Sequence, residues 1–280
     1  MSDFRLKVFQ SVAKNLSFTK ASQELFVSQP AITKHIQELE ATYQTRLFDR
    51  QGSKISLTES GRLLLEHCER ILEDYKRLEY EMHLLHNEYI GELKLGASTT
   101  IAQYVLPPLL GSFIGKFPQV NLSLLNGNSR EIEAALQEHR IDLGLVEGVF
   151  RLPNLKYTTF LEDELVAVVH SKSRLQLPEE ITPQDLPAIP LVLRERGSGT
   201  LDVIERSLQK HGVKLSSLHV LMYLGSTESI KLFLENSDCM GIVSIRSICK
   251  ELAAGTFRVV EIKDMPMLRD FCFVQLQGQE

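Results

Sequence analysis

Gln29, Thr33 and Lys34 follow one another at steps of four and one, so a helix would present all three on one side. Their side chains suit the reading of base edges. A glutamine amide can donate and accept against adenine, a threonine hydroxyl can do either, and a lysine reaches guanine or a phosphate. Arg50 and Lys54 add cations of the kind that make sequence-independent phosphate contacts. The plain alternative for Gln29 and Thr33 is that they are solvated polar residues on a small helical bundle.

The elements that must hold these residues can be read around them. Phe4, Leu6, Val8, Phe9, Val12 and Ala13 give the apolar spacing of a first helix. Ser17 can cap a second helix carrying Ala21 and Leu25. Phe26 and Val27 make a short turn, Ser28 can cap a third helix, and Pro30 fits its first turn, where a missing N–H is harmless. Ala31, Ile32, Ile36 and Leu39 then form the buried stripe of a helix that turns Gln29, Thr33, Lys34 and Gln37 outward. This is a helix-turn-helix. Gln51, Gly52, Ser53 and Lys54 between Phe48–Arg50 and Ile55–Leu57 read as a β-wing, completing a winged helix-turn-helix. His35 reads as a packing or phosphate-facing residue, and no metal site is expected.

The charge distribution agrees with this reading. Residues 1–57 carry eight Lys/Arg against five acids, a net +3, which leaves −8 for the remainder of a chain whose total is −5. A basic head on an acidic body concentrates phosphate attraction at the head.

Residues 58–90 contain no proline and only Gly61 near their start, and read as one long linker helix through Tyr89. Leu64, Cys68, Ile71, Tyr75, Leu78, Met82, Leu85 and Tyr89 alternate steps of four and three, an a/d seam of nearly four heptads. Such a stripe needs a cover. Either a second copy or the chain's own body supplies it, and the length favours a homodimer.

From Gly91 onward, β-rich runs alternate with helical stretches, the pattern of an α/β domain. Three strand–turn–helix corners expose hydroxyls: Ser98, Thr99 and Thr100; Ser198, Gly199 and Thr200; and Ser226 with Thr227. Serine and threonine start most helices simply as caps. Several such corners facing one another would also bind a small anion through hydroxyls and free N–H groups. Glu147 is a further candidate that would repel a dianion unless turned aside, whereas Arg194 or Arg196 could attract one.

Enzymatic readings find little support. The S-x-x-K pattern occurs four times without an S-D-N or K-T-G partner, and no Walker motif, HExxH or G-x-G-x-x-G is present. Neither catalytic residues nor a cofactor are expected. Cys68, Cys239, Cys249 and Cys272 lack the spacing of a metal site or redox pair. No apolar run is long enough for a membrane span, and the N-terminus lacks the layout of a signal peptide, so a cytoplasmic location is expected. That absence and the basic wing also argue against a solute-binding protein whose head binds only a protein partner.

The run Phe18–Glu40, FTKASQELFVSQPAITKHIQELE, closely resembles the signature of LysR-type transcriptional regulators, as do Leu47-Phe48-Asp49-Arg50 and Leu57-Thr58-Glu59-Ser60-Gly61. The resemblance covers nearly the whole chain. It implies an α/β multidomain protein: a winged helix-turn-helix at 1–57, a dimerising linker helix at 58–90, and a two-lobed periplasmic-binding-protein-like effector domain at 91–280. Lobe I would take 91–163 and 264–280, and lobe II 164–263. The family pattern carries DNA contact onto Gln29, Pro30, Thr33 and Lys34, and onto Arg50 of the wing. It implies double-stranded promoter DNA, a small-molecule effector and RNA polymerase as partners, with homodimer or homotetramer assembly. Thr33 and Lys34 stand where many members carry serine and arginine, which leaves base preference there open. Within the family, Gly96–Thr100 and Arg194–Thr200 resemble the branch that regulates sulfur assimilation and cysteine synthesis, implying a sulfate-like or acetylserine-type effector held by Ser98, Thr100, Ser198 and Thr200.

Overall fold

The computed structural model describes residues 4–51, 54–84 and 89–278; the side chains of residues 50, 51, 54, 80, 83 and 84 lie outside the description. The chain divides into two compact units, residues 1–90 and 91–280.

The first unit opens with three helices, α1 (Phe4–Asn15), α2 (Phe18–Glu24) and α3 (Gln29–Tyr43). Local chemistry starts the last two. The Ser17 hydroxyl accepts from Lys20 N–H at 3.2 Å, and Ser28 accepts from Ala31 N–H at 3.4 Å with Pro30 in the first turn. Phe9, Val12, Ile32 and Ile36 close the core between them, and Phe48 joins Phe9 and Phe18 at centroid distances of 5.5 and 5.9 Å. A hairpin of β1 (Phe48–Gln51) and β2 (Lys54–Leu57) follows, with Arg50 opposite Ile55 and Gln51 opposite Lys54.

The linker helix, α4 (Glu59–Leu84), departs from the expected seam. Leu64, Leu65, Cys68 and Leu72 pack into the head, and the Cys68 thiol lies 3.3 Å from the Leu6 carbonyl. Burial pushes that thiol up to about 12. Cys68 and, in part, Leu64 are therefore covered by their own chain. At 100° per residue the head-facing stripe sits roughly 75° round the helix from Ile71, Leu78 and Met82, which are exposed. Tyr75 is half-buried, Tyr89 lies beyond the described helix and is not helical, and Leu85 falls outside the described residues. The apolar positions thus form two neighbouring stripes, one used within the chain and one open.

The second unit starts with β3 (Gly91–Ser98), α5 (Thr99–Tyr104), α6 (Leu106–Lys116), β4 (Val120–Gly127), α7 (Ser129–Gln137) and β5 (Leu143–Glu147). Long β6 (Leu155–His170) and short β7 (Glu180–Ile181) come next. Then follow β8 (Leu191–Arg194), α8 (Gly199–Lys210), β9 (Val220–Leu224), α9 (Thr227–Glu235), β10 (Met240–Ser244), α10 (Cys249–Ala253), β11 (Phe257–Ile262) and β12 (Met267–Leu276). The strand order is β4-β3-β5-β12-β6-β10-β8-β9. β3 pairs in parallel with β4 and β5 in one block, and β8 with β9 and β10 in the other. β6 and β12 run antiparallel between the blocks and tie them together. The result is two lobes on a shared strand pair. The parallel strands end at Ser98, Gly127 and Glu147 in lobe I, and at Arg194, Leu224 and Ser244 in lobe II, so the helix-opening corners gather there.

One close approach in the head depends on glycine. A Cβ on Gly61 would lie 2.1 Å from the Leu47 carbonyl oxygen, where the first turn of α4 meets the residue that leads into β1. Gly61→Ala is expected to destabilise the protein by about 1–3 kcal/mol through overpacking, read as a lowered melting temperature by circular dichroism.

Candidate DNA-binding and effector sites

On α3, Gln29, Pro30, Lys34 and Gln37 are exposed and Thr33 is half-buried. The Thr33 hydroxyl donates to the Gln29 carbonyl at 3.1 Å, which leaves its oxygen able to accept. Ile32, Ile36 and Leu39 anchor the opposite side of the helix in the core. His35 packs edge-on against Phe4 at 5.5 Å and lies 3.5 Å from Glu38, an inward-looking position. Arg50 and Lys54 lie on the two strands of the hairpin, and their side chains fall outside the description.

The eight candidate effector residues gather at the corners between the lobes, and all are buried. Several are already engaged with one another. Ser98 donates to the Glu147 carboxylate, and Ser129 donates to the Glu147 carbonyl at 2.7 Å. Ser198 caps Leu201 N–H at 3.2 Å and donates to the Glu195 carbonyl. Gly199 stands at a close contact: a Cβ there would fall 1.9 Å from the Glu147 carbonyl oxygen, so the first turn of α8 abuts the end of β5. Thr227 is buried on the first turn of α9. The hydroxyls of Ser98 and Ser198 are thus occupied here, a correction to their reading as open donors.

A buried charge network holds this arrangement. Arg269 on β12 is buried; its Nε donates to Asp163 at 2.8 Å, its Nη1 donates to Thr200 Oγ1 at 2.9 Å, and it lies 3.5 Å from Glu147. Ser244 donates to the other Asp163 oxygen at 2.7 Å. Removing one member of such a buried pair typically costs 3–5 kcal/mol, because a charge remains buried without its partner. Sequence reasoning missed Arg269 and Asp163. Their signal was the alternation of the strands, which puts Asp163 in step with buried Leu165 and Ala167, and Arg269 in step with Met267 and Phe271.

Arg194 and Arg196, between which the sequence did not choose, are now distinguished. Arg194 is 1% exposed, whereas Arg196 is exposed. The Arg194 guanidinium donates to Glu195 at 2.8 and 3.0 Å, and its Nη2 reaches Thr99 Oγ1 across the lobes at 3.4 Å. Its Nη1 is buried without a hydrogen-bond partner, as are Thr100 Oγ1, Gln103 Oε1 and Arg269 Nη2, the last lying 2.7 Å from the Asp163 carboxylate. Buried polar groups are nearly always paired, so these orphans require an explanation. A cavity of about 300 Å³ adjoins the network, lined by Gly148, Val149, Arg151, Glu162, Arg206, Leu268, Arg269 and Asp270.

A second cross-lobe contact joins Tyr104 of α5 to Glu228 of α9, and Lys231 lies 2.8 Å from Glu228 and 2.5 Å from Glu251. Burial raises the Tyr104 hydroxyl, and its hydrogen bond to the Glu228 carboxylate raises it further. Burial alone would raise Glu228, yet hydrogen bonds from Lys231 and Tyr104 outweigh it and hold the carboxyl below its ordinary range.

A unit with an exposed recognition helix and a hairpin, joined in sequence to a two-lobed unit whose helix starts converge on buried hydroxyls and a guanidinium, defines a DNA-binding regulator with an effector domain. Comparison with known proteins names the family. Residues 4–62 match the bacterial regulatory helix-turn-helix protein, lysR family, and residues 86–280 match the LysR substrate binding domain. The chain belongs to the LysR family of transcriptional regulators and is not an enzyme. The HTH-type transcriptional regulator CysL of Bacillus subtilis (strain 168) is 29% identical over 269 residues, 96% of this chain and 89% of that protein. The CcmR regulatory domain of Synechocystis PCC6803, solved in complex with 2-PG, is 28% identical with a TM-score of 0.60, covering 68% of this chain and 89% of that one. Full-length CbnR complexed with its target DNA shares the fold at 23% identity and a TM-score of 0.64, covering 100% of this chain and 95% of that one. Among the described residues no helix is long and apolar enough to cross a membrane.

The sign of the pH dependence follows from Glu228. A carboxyl held below its ordinary pKa stabilises the fold fully above the ordinary glutamate range and loses that contribution as pH falls through the lowered value. Glu228→Gln is expected to flatten the acid limb of the stability–pH curve of the effector unit, measured by urea denaturation between pH 3 and 7.

Proposed function

We propose that this regulator is controlled by a small anionic or amino-acid-like metabolite bound between the lobes, and that the metabolite belongs to sulfur metabolism. The observation that carries the anion is Arg194, a buried guanidinium whose Nη2 reaches Thr99 at the start of α5 and whose Nη1 has no hydrogen-bond partner. An anion there would satisfy that nitrogen together with N–H groups at the start of α5. Glu147 does not oppose this reading, because Arg269 and Ser98 compensate its charge. The likeness to CysL supports the sulfur assignment, and the CcmR complex with 2-PG makes that ligand the competing candidate.

The functional division we propose is residues 1–57 for DNA, 58–90 for dimerisation and 91–280 for the effector. Gln29, Pro30 and Thr33 read the major groove, Lys34 reaches a guanine or a phosphate from the same helix, and Arg50 and Lys54 hold phosphates. Two copies pair through the open stripe of α4 at Ile71, Leu78 and Met82. Exposed apolar side chains on both edge strands, Leu124 and Leu125 on β4 and Leu221 and Met222 on β9, offer a further self-contact towards a tetramer. Effector binding changes the assembly on promoter DNA, and with it the recruitment of RNA polymerase, to the extent of its differential affinity for the two assembly states. The cytoplasm is the compartment where such a regulator meets both partners.

Two measurements test this function. In thermal-shift titrations with sulfate, thiosulfate, sulfite, O-acetylserine and 2-PG, a sulfur compound is expected to raise the melting temperature, and Arg194→Met to abolish the shift. Stabilisation by 2-PG alone refutes the sulfur assignment. In gel-shift titrations on promoter DNA against salt, Lys34→Ala is expected to weaken binding and reduce the salt slope by about 1. Binding that ignores salt would contradict the proposed phosphate contacts.

A further inference from the structure

Phe26 stands in the turn between α2 and α3 with its side chain 95% exposed and its backbone at φ +54°. The turn closes α2 through Leu25 N–H to the Ala21 carbonyl at 3.0 Å and Val27 N–H to the Ser22 carbonyl at 3.1 Å. The left-handed position in such a helix ending is ordinarily glycine or asparagine, because a Cβ is strained there. Leu25 and Val27 fasten the turn to the core, and the Phe26 ring contributes nothing to it. Folding alone would thus favour a different residue here, on both backbone and solvation grounds.

The position explains the choice. Phe26 lies three residues before Gln29, beside the exposed first turn of α3 that carries Ser28, Gln29 and Pro30. In a helix-turn-helix it is this end of the recognition helix that meets base edges. A phenyl ring has no donor for a phosphate. Its strongest gain in the major groove is apolar contact, and the C5-methyl of thymine is the apolar group displayed there. Leu16 shares the left-handed backbone, at φ +45° and 49% exposed, but follows α1 in the turn to α2 and not the turn that leads into α3.

We propose that Phe26 is a specificity-determining residue of the DNA interface, whose ring covers a thymine methyl next to the base read by Gln29. The contact displaces no counterion. It therefore adds affinity equally at low and high salt, unlike Lys34.

The test uses the full-length protein and a duplex selected by it from random sequence, with deoxyuracil substituted singly for each thymine of the half-sites. Phe26→Asn, which suits the left-handed backbone, is expected to melt at or above the temperature of the parent. It is expected to bind the thymine duplex about four- to fifteenfold more weakly, the worth of burying one or two carbon groups, with the salt slope unchanged. At one thymine, removal of the methyl group should weaken the parent by a similar factor and leave Phe26→Asn unaffected. Three results overturn the proposal: unchanged affinity of Phe26→Asn; a lowered melting temperature, which makes the ring structural; or losses from the variant and from uracil that multiply at every thymine, which places the ring on something other than a methyl group.

Discussion

The guanidinium of Arg269 sits on β12, one of the two strands the lobes share, and bonds to Asp163 on β6 and Thr200 on α8 while facing Glu147 at the end of β5. Charges this deep in a protein are tolerated only with partners and well-aligned hydrogen bonds. The network therefore constrains where the helix starts of both lobes can lie. Any movement that parts the end of β5 from α8 must separate buried charges or bring a new partner to them. An effector domain needs such a coupling, since a ligand acts only by favouring one arrangement over another.

Arg194 is buried as well. Glu195 neutralises it, and Thr99 receives it from the other lobe, yet one nitrogen is left without a partner. Arg269 also has a nitrogen without a hydrogen bond, Nη2, but that nitrogen lies 2.7 Å from the Asp163 carboxylate as an ion pair, whereas Arg194 pairs with Glu195 through Nε and Nη2 and leaves Nη1 over. That contrast makes Arg194, rather than the serines at the corners, the group best suited to meet an anion.

In the head, the apolar positions of a single helix form two stripes. The stripe through Cys68 and Leu72 joins α4 to the three-helix core, and that through Ile71, Leu78 and Met82 stays open. A heptad count merges them, since the stripes differ by less than one residue step round the helix. Only the presence of α1 against one side separates them.

What the sequence determined by itself was local. Caps at Ser17 and Ser28, Pro30 in the first turn of α3, the apolar spacing of Ile32, Ile36 and Leu39, and the strand–turn–helix corners each depend on residues a few positions apart. Interactions of that range are encoded where they act. The tertiary structure alone decided which hydroxyls remain free, because the partners of Ser98 and Thr200, Glu147 and Arg269, are 49 and 69 positions away. It also decided that Cys68 belongs to the core of the head, 62 positions from Leu6, and that Gly199 allows two lobes to touch. Side-chain chemistry is legible in a residue's name; its partner is set by which distant backbones the packed core brings together.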